Sequence, residues 1–425
     1  MTEDVIQYIW KIQALSKAHL KTVDGESLQI IKQGLLNSDS GPDFSSARVI
    51  INDVEWAGDI EIHIKTSYWQ LHKHQLDPAY NKVILHVVWE HDIPVLRNDG
   101  SEIPTLEIKN LVGRNWLDKY KKLQASLQII PCEPFFKELA SIHKLDAFNK
   151  VLIERLQRKS ELVLDNVTKL RGDWEQASMH LLFEYFGFKK NNEAFKQLGE
   201  ITDIKIIQKI GSLKQMEAYL LGMAGLLGDN KHKSAYRQEL REEFVWLHKK
   251  FAIKTEPMSA TWWKFMRMRP ANFPTIRLAQ LSVLLFQRKH LFQSIIGASS
   301  KDAKSFFSVE QSEFWQKHYH FNKEAKKGIK GIGDQSAKIL SINVAAVLLV
   351  AYGTYTNNEL YTEKAVSFLE AQKPEDNVIT RQWKELGVTL NSAAESQGAI
   401  ELFNNYCKDR RCLQCNIGSQ ILSNS

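Results

Sequence analysis

The sequence predicts an α+β protein, with a small N-terminal α/β sheet domain over residues 1–115 and a large all-α domain over residues 116–425. Three observations carry this. Up to about residue 108 the apolar residues come in short alternating runs, the period of a half-buried strand. From Trp116 onward they recur at the 3.6-residue spacing of amphipathic helices. The chain has 425 residues and 44% hydrophobic content, enough for two or three ordinary globular domains.

The elements follow in order. Val5, Ile9, Ile12 and Leu15 predict an amphipathic helix over 4–20. Strands are expected over 28–36, 44–51 and 54–65, with a turn-forming cluster at 37–42 between the first two. Residues 67–75 read as a short polar helix or loop. A strongly apolar strand over 82–90 and a shorter one over 105–108 complete a helix, three-strand meander, short helix, strand order. Beyond it, 145–170, 174–186, 215–227 and 235–251 have helical periodicity. Segments 277–286 and 343–352 are more apolar and read as buried helices. Residues 255–274 form a loop rich in Trp, Arg and Pro, and the polar tail beyond Gly418 is expected to fray.

Charge and hydropathy narrow the function classes. No run approaches the roughly 18 uninterrupted apolar residues of a membrane span. The acidic start, Met1 to Asp4, lacks an apolar signal core, so a cytoplasmic location and no membrane partner are expected. Residues 1–125 hold 14 Lys+Arg against 17 Asp+Glu, while the remainder holds 42 against 32. Any surface for DNA or RNA is therefore expected on the helical part.

The chemistry concentrates near residue 60. In a strand over 54–65, Asp59, Glu61, His63 and Lys65 share one face while Ile60, Ile62 and Ile64 share the other. Asp43 stands at the start of the preceding strand. Asp43 and Glu61 are therefore candidates to hold Mg²⁺ or Mn²⁺ through oxygen ligands, with His63 or Lys65 assisting an attacking water or stabilising phosphate charge. This order of elements, with Pro42-Asp43 and Glu61-Ile62-His63 as its acidic segments, resembles the PD-(D/E)xK nuclease superfamily. The resemblance implies a metal-dependent nuclease, with His63 where Lys is usual and Lys65 as a substitute. The alternative is a half-exposed strand with an ordinary polar face.

Five of the thirteen histidines, His63, His72, His74, His86 and His91, fall within 29 residues. His72 and His74 with Asp77 are a candidate zinc or iron site, which would make the protein a histidine-based hydrolase. His86, inside an apolar strand, reads as a hydrogen-bonded core residue. A third possibility is a non-catalytic scaffold or nucleic-acid-binding protein.

Cys407, Cys412 and Cys415 cluster, and Cys132 is the only other cysteine. Four thiolates suit zinc or an iron–sulfur cluster, and Lys408, Arg410 and Arg411 are expected to favour the thiolate form. The pattern resembles the iron–sulfur staple of some recombination and CRISPR-adaptation exonucleases, although there the lone cysteine precedes the nuclease core. Residues 328–340 resemble a helix-hairpin-helix, whose backbone N–H groups meet a phosphate, with Lys326, Lys327 and Lys330 adding charge. Trp262 and Trp263 with Arg267, Arg269 and Arg277 combine aromatic and basic groups that suit single-stranded nucleic acid, or else lock helices together.

Residues 37–44, 58–69, 72–92, 266–277 and 406–418 together are similar to the bacterial family known as domain of unknown function 2851. That resemblance spans nearly the whole chain and implies no established activity.

Overall fold

The computed structural model describes residues 1–37, 39–228, 234–299, 302 and 305–423. Ser38 of the expected 37–42 turn and the last two residues of the tail lie outside them. The chain groups into two compact units, 1–147 with 402–425, and 148–401. The first unit extends to Ala147, past the boundary expected near residue 115, and it also takes in the chain from Leu402 onward.

In that unit six strands form one sheet: β1 (Leu28–Lys32), β2 (Leu35–Leu36), β3 (Phe44–Ile51), β4 (Val54–Lys65), β5 (Val83–Glu90) and β6 (Thr105–Glu107). Their order is β1-β3-β4-β5-β6, with β2 also paired to β3. β1, β3 and β4 run antiparallel, whereas β5 and β6 are parallel to β4 and to each other. A parallel neighbour needs a crossover, supplied by α2 (Tyr68–Leu71) and two 3₁₀ turns. Val83 to Val88 are buried without alternation, as in a strand covered on both faces. α1 (Glu3–Ile12) buries Val5, Ile6, Ile9 and Trp10 and packs on β4. It ends eight residues before the expected limit, at Gln13 in the left-handed region (φ 55°).

The β3–β4 register contains a bulge. Ala47 pairs with Gly58 and every later pair keeps that register, yet Phe44 pairs with Ile60. Ser46 takes φ 58° and donates its N–H to Asp59 Oδ1 (3.1 Å). The extra residue turns Asp43 from the face of Ile62 to that of Glu61.

The second unit is helical around one large core, in which Phe183, Tyr219, Trp315 and the helix around Val347 are fully buried. Among the described residues a two-stranded ribbon, His318–His320 with Lys323–Glu324, departs from the all-α expectation. It also corrects the helix-hairpin-helix resemblance, because a ribbon and not a helix precedes Gly328, although a helix does follow from Asp334. Among the described residues one helix, Asp334–Thr356, is long and apolar enough to cross a membrane, and 67% of its apolar window is buried within the protein. The tail is not frayed through Ser423. Helix Asn416–Ser423 buries Ile417, Ile421 and Leu422.

β4 lies so close to β5 that a Cβ at Gly58 would fall 2.4 Å from Lys82 O and 2.5 Å from Ile84 Cγ2. Gly58→Ala is expected to lower stability by about 1–3 kcal/mol, read as a lower denaturant midpoint at unchanged m-value.

Candidate metal centre

The bulge brings two carboxylates to one spot. Asp43 donates its backbone N–H to Glu61 Oε2 (3.1 Å), and Asp43 Oδ2 accepts the N–H of Ile62 (3.0 Å). Gln7 of α1 donates to Asp43 Oδ1 (2.8 Å). Burial first, then the Glu61 charge, pushes the Asp43 carboxyl up to about 7. Burial also lifts Glu61, to about 8, against the hydrogen bond from the Asp43 amide, and the charge of Glu3 adds to the rise.

Three imidazoles face this pair. His63 Nε2 lies 3.4 Å from Glu61 Oε1, and His74 Nε2 lies 3.3 Å from the same oxygen. His74 Nε2 is close but misaligned, so it has no hydrogen-bond partner. His63, His72 and His74 each offer one nitrogen within 4.8 Å of the others. His63 Nε2 is 3.1 Å from His72 Nδ1, and His63 Nδ1 is 2.8 Å from His86 Nε2. Burial, then the neighbouring imidazoles, drives the His63 pKa far down, so the ring stays neutral. The 3.4 Å contact with Glu61 is therefore between uncharged groups near neutral pH. His72 is exposed at the edge, while His63 is buried.

The crossover sets these positions. Asp92 accepts from Thr66 Oγ1 (2.7 Å), Ser67 N (2.9 Å) and Ser67 Oγ (2.7 Å), fixing the start of the segment that carries His72 and His74. Tyr80 stacks on His74 with centroids 3.8 Å apart, and buried Trp69 meets both edge-on. Asp77 does not join the histidines. Its carboxylate accepts from Ala79 N (2.9 Å) and caps the 3₁₀ turn.

The donor set suits a dication. Glu3 Oε1, His74 Nε2 and His86 Nδ1 are buried without hydrogen-bond partners. Two carboxyls with raised pKa values and neutral imidazoles are groups that give up protons or lone pairs to a metal. If His63 Nε2 ligates, its Nδ1–H donates to His86 and fixes the ring. Lys65 stands apart, at the rim 3.9 Å from Glu90 Oε1. Sequence reasoning missed Glu3, Gln7, Trp69 and Tyr80. The acidic first turn of α1 was visible, but its docking on β4 was not.

The four cysteines are all buried and unbridged. Burial raises the thiol pKa of Cys132, Cys407 and Cys412, and the charges of the other cysteines add to it. Every pair among the four interacts in this way. Cys407 ends a π-helical turn, Phe403–Cys407, and the Cys415 amide bonds Cys412 O (3.3 Å). Arg410 anchors the loop, donating to Ser126 O (2.6 Å) and accepting at its own carbonyl from Gln124 (3.1 Å). Arg410 has the expected thiolate-favouring effect on Cys412, but burial outweighs it, leaving that thiol at about 11.

The other basic candidates lie in the helical unit. Arg267, Arg269 and Lys330 are exposed. Arg277 is buried and held by neutral side chains. Trp262 is exposed, but Trp263 is buried and donates to Ala224 O (2.7 Å).

Residues 3–378 match the family model described as protein of unknown function, DUF2851. No curated protein and no solved structure matches the chain.

The raised carboxyls give a pH signature. In protein stripped of metal, Asp43 and Glu61 hold protons that the unfolded chain has lost, so stability falls as pH rises through about 7 and 8. The neutral histidines act oppositely, but only below their ordinary value of 6.5. Stability of chelator-treated protein should therefore decline between pH 6.5 and 8. In Glu61→Gln the Glu61 share of that decline should vanish and the Asp43 share, which burial dominates, should remain, measured as urea midpoints across the range.

Proposed function

The chain belongs to this family of unknown function, whose description supplies no activity, and from its geometry we propose that the sheet unit is a divalent-metal hydrolase cleaving phosphodiester bonds in nucleic acid. The observation that carries this is Glu61 Oε1, placed 3.4 Å from His63 Nε2 and 3.3 Å from His74 Nε2 beside the Asp43 carboxylate. One cation in that gap could take Glu61 Oε1 and both imidazole nitrogens as ligands. Mixed imidazole and carboxylate donors favour Mn²⁺, Zn²⁺ or Fe²⁺ over Mg²⁺, which prefers oxygen and water.

Asp43, Glu61, His63 and His74 would hold the cation, which would supply Lewis-acid chemistry for activating water and for offsetting phosphate charge. His72, exposed at the edge, is placed to accept a proton. The phosphodiester substrate is inferred from the order of elements, with Asp43 before β3 and Glu61 within β4, ahead of a helical crossover and a parallel strand, taken with the sequence resemblance to PD-(D/E)xK nucleases. His63 occupies the position usual for lysine. Lys65, paired near Glu90, has no part in this reading.

A second reading is a zinc or iron hydrolase acting on a different bond, favoured by the mutual approach of His63, His72 and His74 within 4.8 Å. His72→Ala separates the two, because there His72 is a ligand whose loss removes the metal. In the nuclease reading the metal stays.

We propose a separate structural centre, zinc or an iron–sulfur cluster, at Cys132, Cys407, Cys412 and Cys415. Its support is four buried thiols near enough for their charges to act on one another, since burial without a metal disfavours a thiolate. Cys412→Ser should halve or abolish the metal at this centre and lower thermal stability, while leaving Mn²⁺ binding at Glu61 intact. Elemental analysis and visible absorbance of anaerobically purified protein read this directly.

For activity, purified protein with Mn²⁺ or Zn²⁺ should cleave single- or double-stranded DNA or RNA. Glu61→Gln and His74→Ala should lose the bound metal and more than about 100-fold of the rate, and His86→Gln about 10–100-fold. Cleavage that survives Glu61→Gln would end the proposal.

A further inference from the structure

The helical unit contains a buried cation that no carboxylate neutralises. Arg277 lies in the first turn of helix Pro274–Gln287 and is 9% exposed. Its Nη1 donates to Gln280 Oε1 (3.0 Å), and its Nη2 to Asn272 Oδ1 (2.6 Å) and Ser336 Oγ (3.3 Å). Its Cζ lies 4.3 Å from the centroid of the Phe188 ring. Nε is buried without a partner. Every one of these neighbours is neutral. Buried Arg155 in the same unit, by contrast, has Glu401 at 3.9 Å. A guanidinium stays charged, and a buried charge is costly unless an opposite charge meets it.

Arg277 lines a cavity of about 320 Å³. Lys189, Lys190 and Arg267 line it too, and no Asp or Glu does. Its wall is held in a set shape. Lys190 Nζ donates to Arg267 O (2.8 Å), and Arg267 and Phe188 both keep left-handed backbones (φ 56° and 47°), which L side chains disfavour. Phe188, Phe195 and Met268 give the cavity an apolar side. The volume is at the small end of ligand pockets, roughly 300–1,000 Å³.

We propose that this cavity binds a small organic phosphate, the dianion against Arg277, Lys189 and Arg267 and the organic part against Phe188 and Phe195. Four cations around one cavity call for a multivalent anion, and a planar guanidinium with flanking ammonium groups suits phosphate oxygens. A volume of this size suits a single small molecule better than a strand. Arg269 and Lys330, which a strand would use, are exposed and do not line the cavity. This site does not depend on the metal centre of the other unit.

The test is calorimetric titration of the full chain, chelator-treated so that the Glu61 centre does not capture phosphate. Phenyl phosphate, inorganic phosphate and a ten-nucleotide single-stranded DNA are compared at matched ionic strength. Phenyl phosphate should bind saturably at one site per chain and more tightly than inorganic phosphate. Lys189→Glu combined with Arg267→Glu, both exposed rim residues, should weaken it at least about tenfold, and Arg277→Gln should remove it. If Arg277→Gln does not fold, the rim variant decides. Absence of saturable phenyl phosphate binding at millimolar concentration, or binding unchanged in the rim variant, overturns the proposal. Binding of the oligonucleotide alone overturns it as well, in favour of a strand-binding surface.

Discussion

One extra residue in β3 organises the candidate centre. Cross-strand partners share a face, so a one-residue slip exchanges faces. The register of Ala47 with Gly58, continued without a bulge, would set Asp43 opposite Ile62, on the side of the sheet that buries Ile60 and Ile62. The bulge sets it opposite Glu61 instead. Ser46 absorbs the distortion with a left-handed backbone, and Asp59 accepts its amide. The short contacts of Glu61 with His63 and His74 matter chemically because Asp43 is on the same side.

Electrostatics then gives the arrangement its meaning. Two carboxyls with raised pKa values, neutral imidazoles and three buried polar atoms without partners make a group of donors that satisfy one another poorly. Buried polar groups in folded proteins are nearly always paired. A cation would relieve the unpaired state of Glu61's neighbour His74 Nε2, and the arrangement around it is set by α1, β3, β4 and the crossover together. Each of these elements has another anchor: the apolar face of α1, the sheet ladders, and Asp92 at the start of the crossover.

The chain end belongs to the same unit for a packing reason. Ile417, Ile421 and Leu422 are buried, and Tyr8 of α1 donates to Ser419 Oγ (2.8 Å). Gly418 permits the approach, since a Cβ there would lie 2.1 Å from Cys412 O. The cysteine loop is thereby pressed against α3 (Arg114–Ala125) and the segment containing Cys132, with Arg410 joining them. An expectation of fraying came from the polar composition of the last residues. The apolar pattern at 417, 421 and 422 was present in the sequence, but eight residues are too few to form a helix without tertiary support.

By itself the sequence determined the fold class and most element positions. The strands 44–51 and 54–65 and the helix 174–186 coincide with those expected, because the period of apolar residues is a local property that burial rewards directly. It also put Glu61 and His63 on one strand face. Tertiary structure alone decided which residues join them. His72 and His74 come in and Asp77 does not, because a 3₁₀ cap claims that carboxylate. Lys65 is held at the rim near Glu90, and Arg277 turns inward while Arg267 and Arg269 stay exposed. The π turn at Cys407, the bulge before Ala47 and the ribbon after Lys317 depend on long-range pairing. No local periodicity encodes such pairing, because a register shift or an inserted residue leaves the pattern of apolar residues along the chain unchanged.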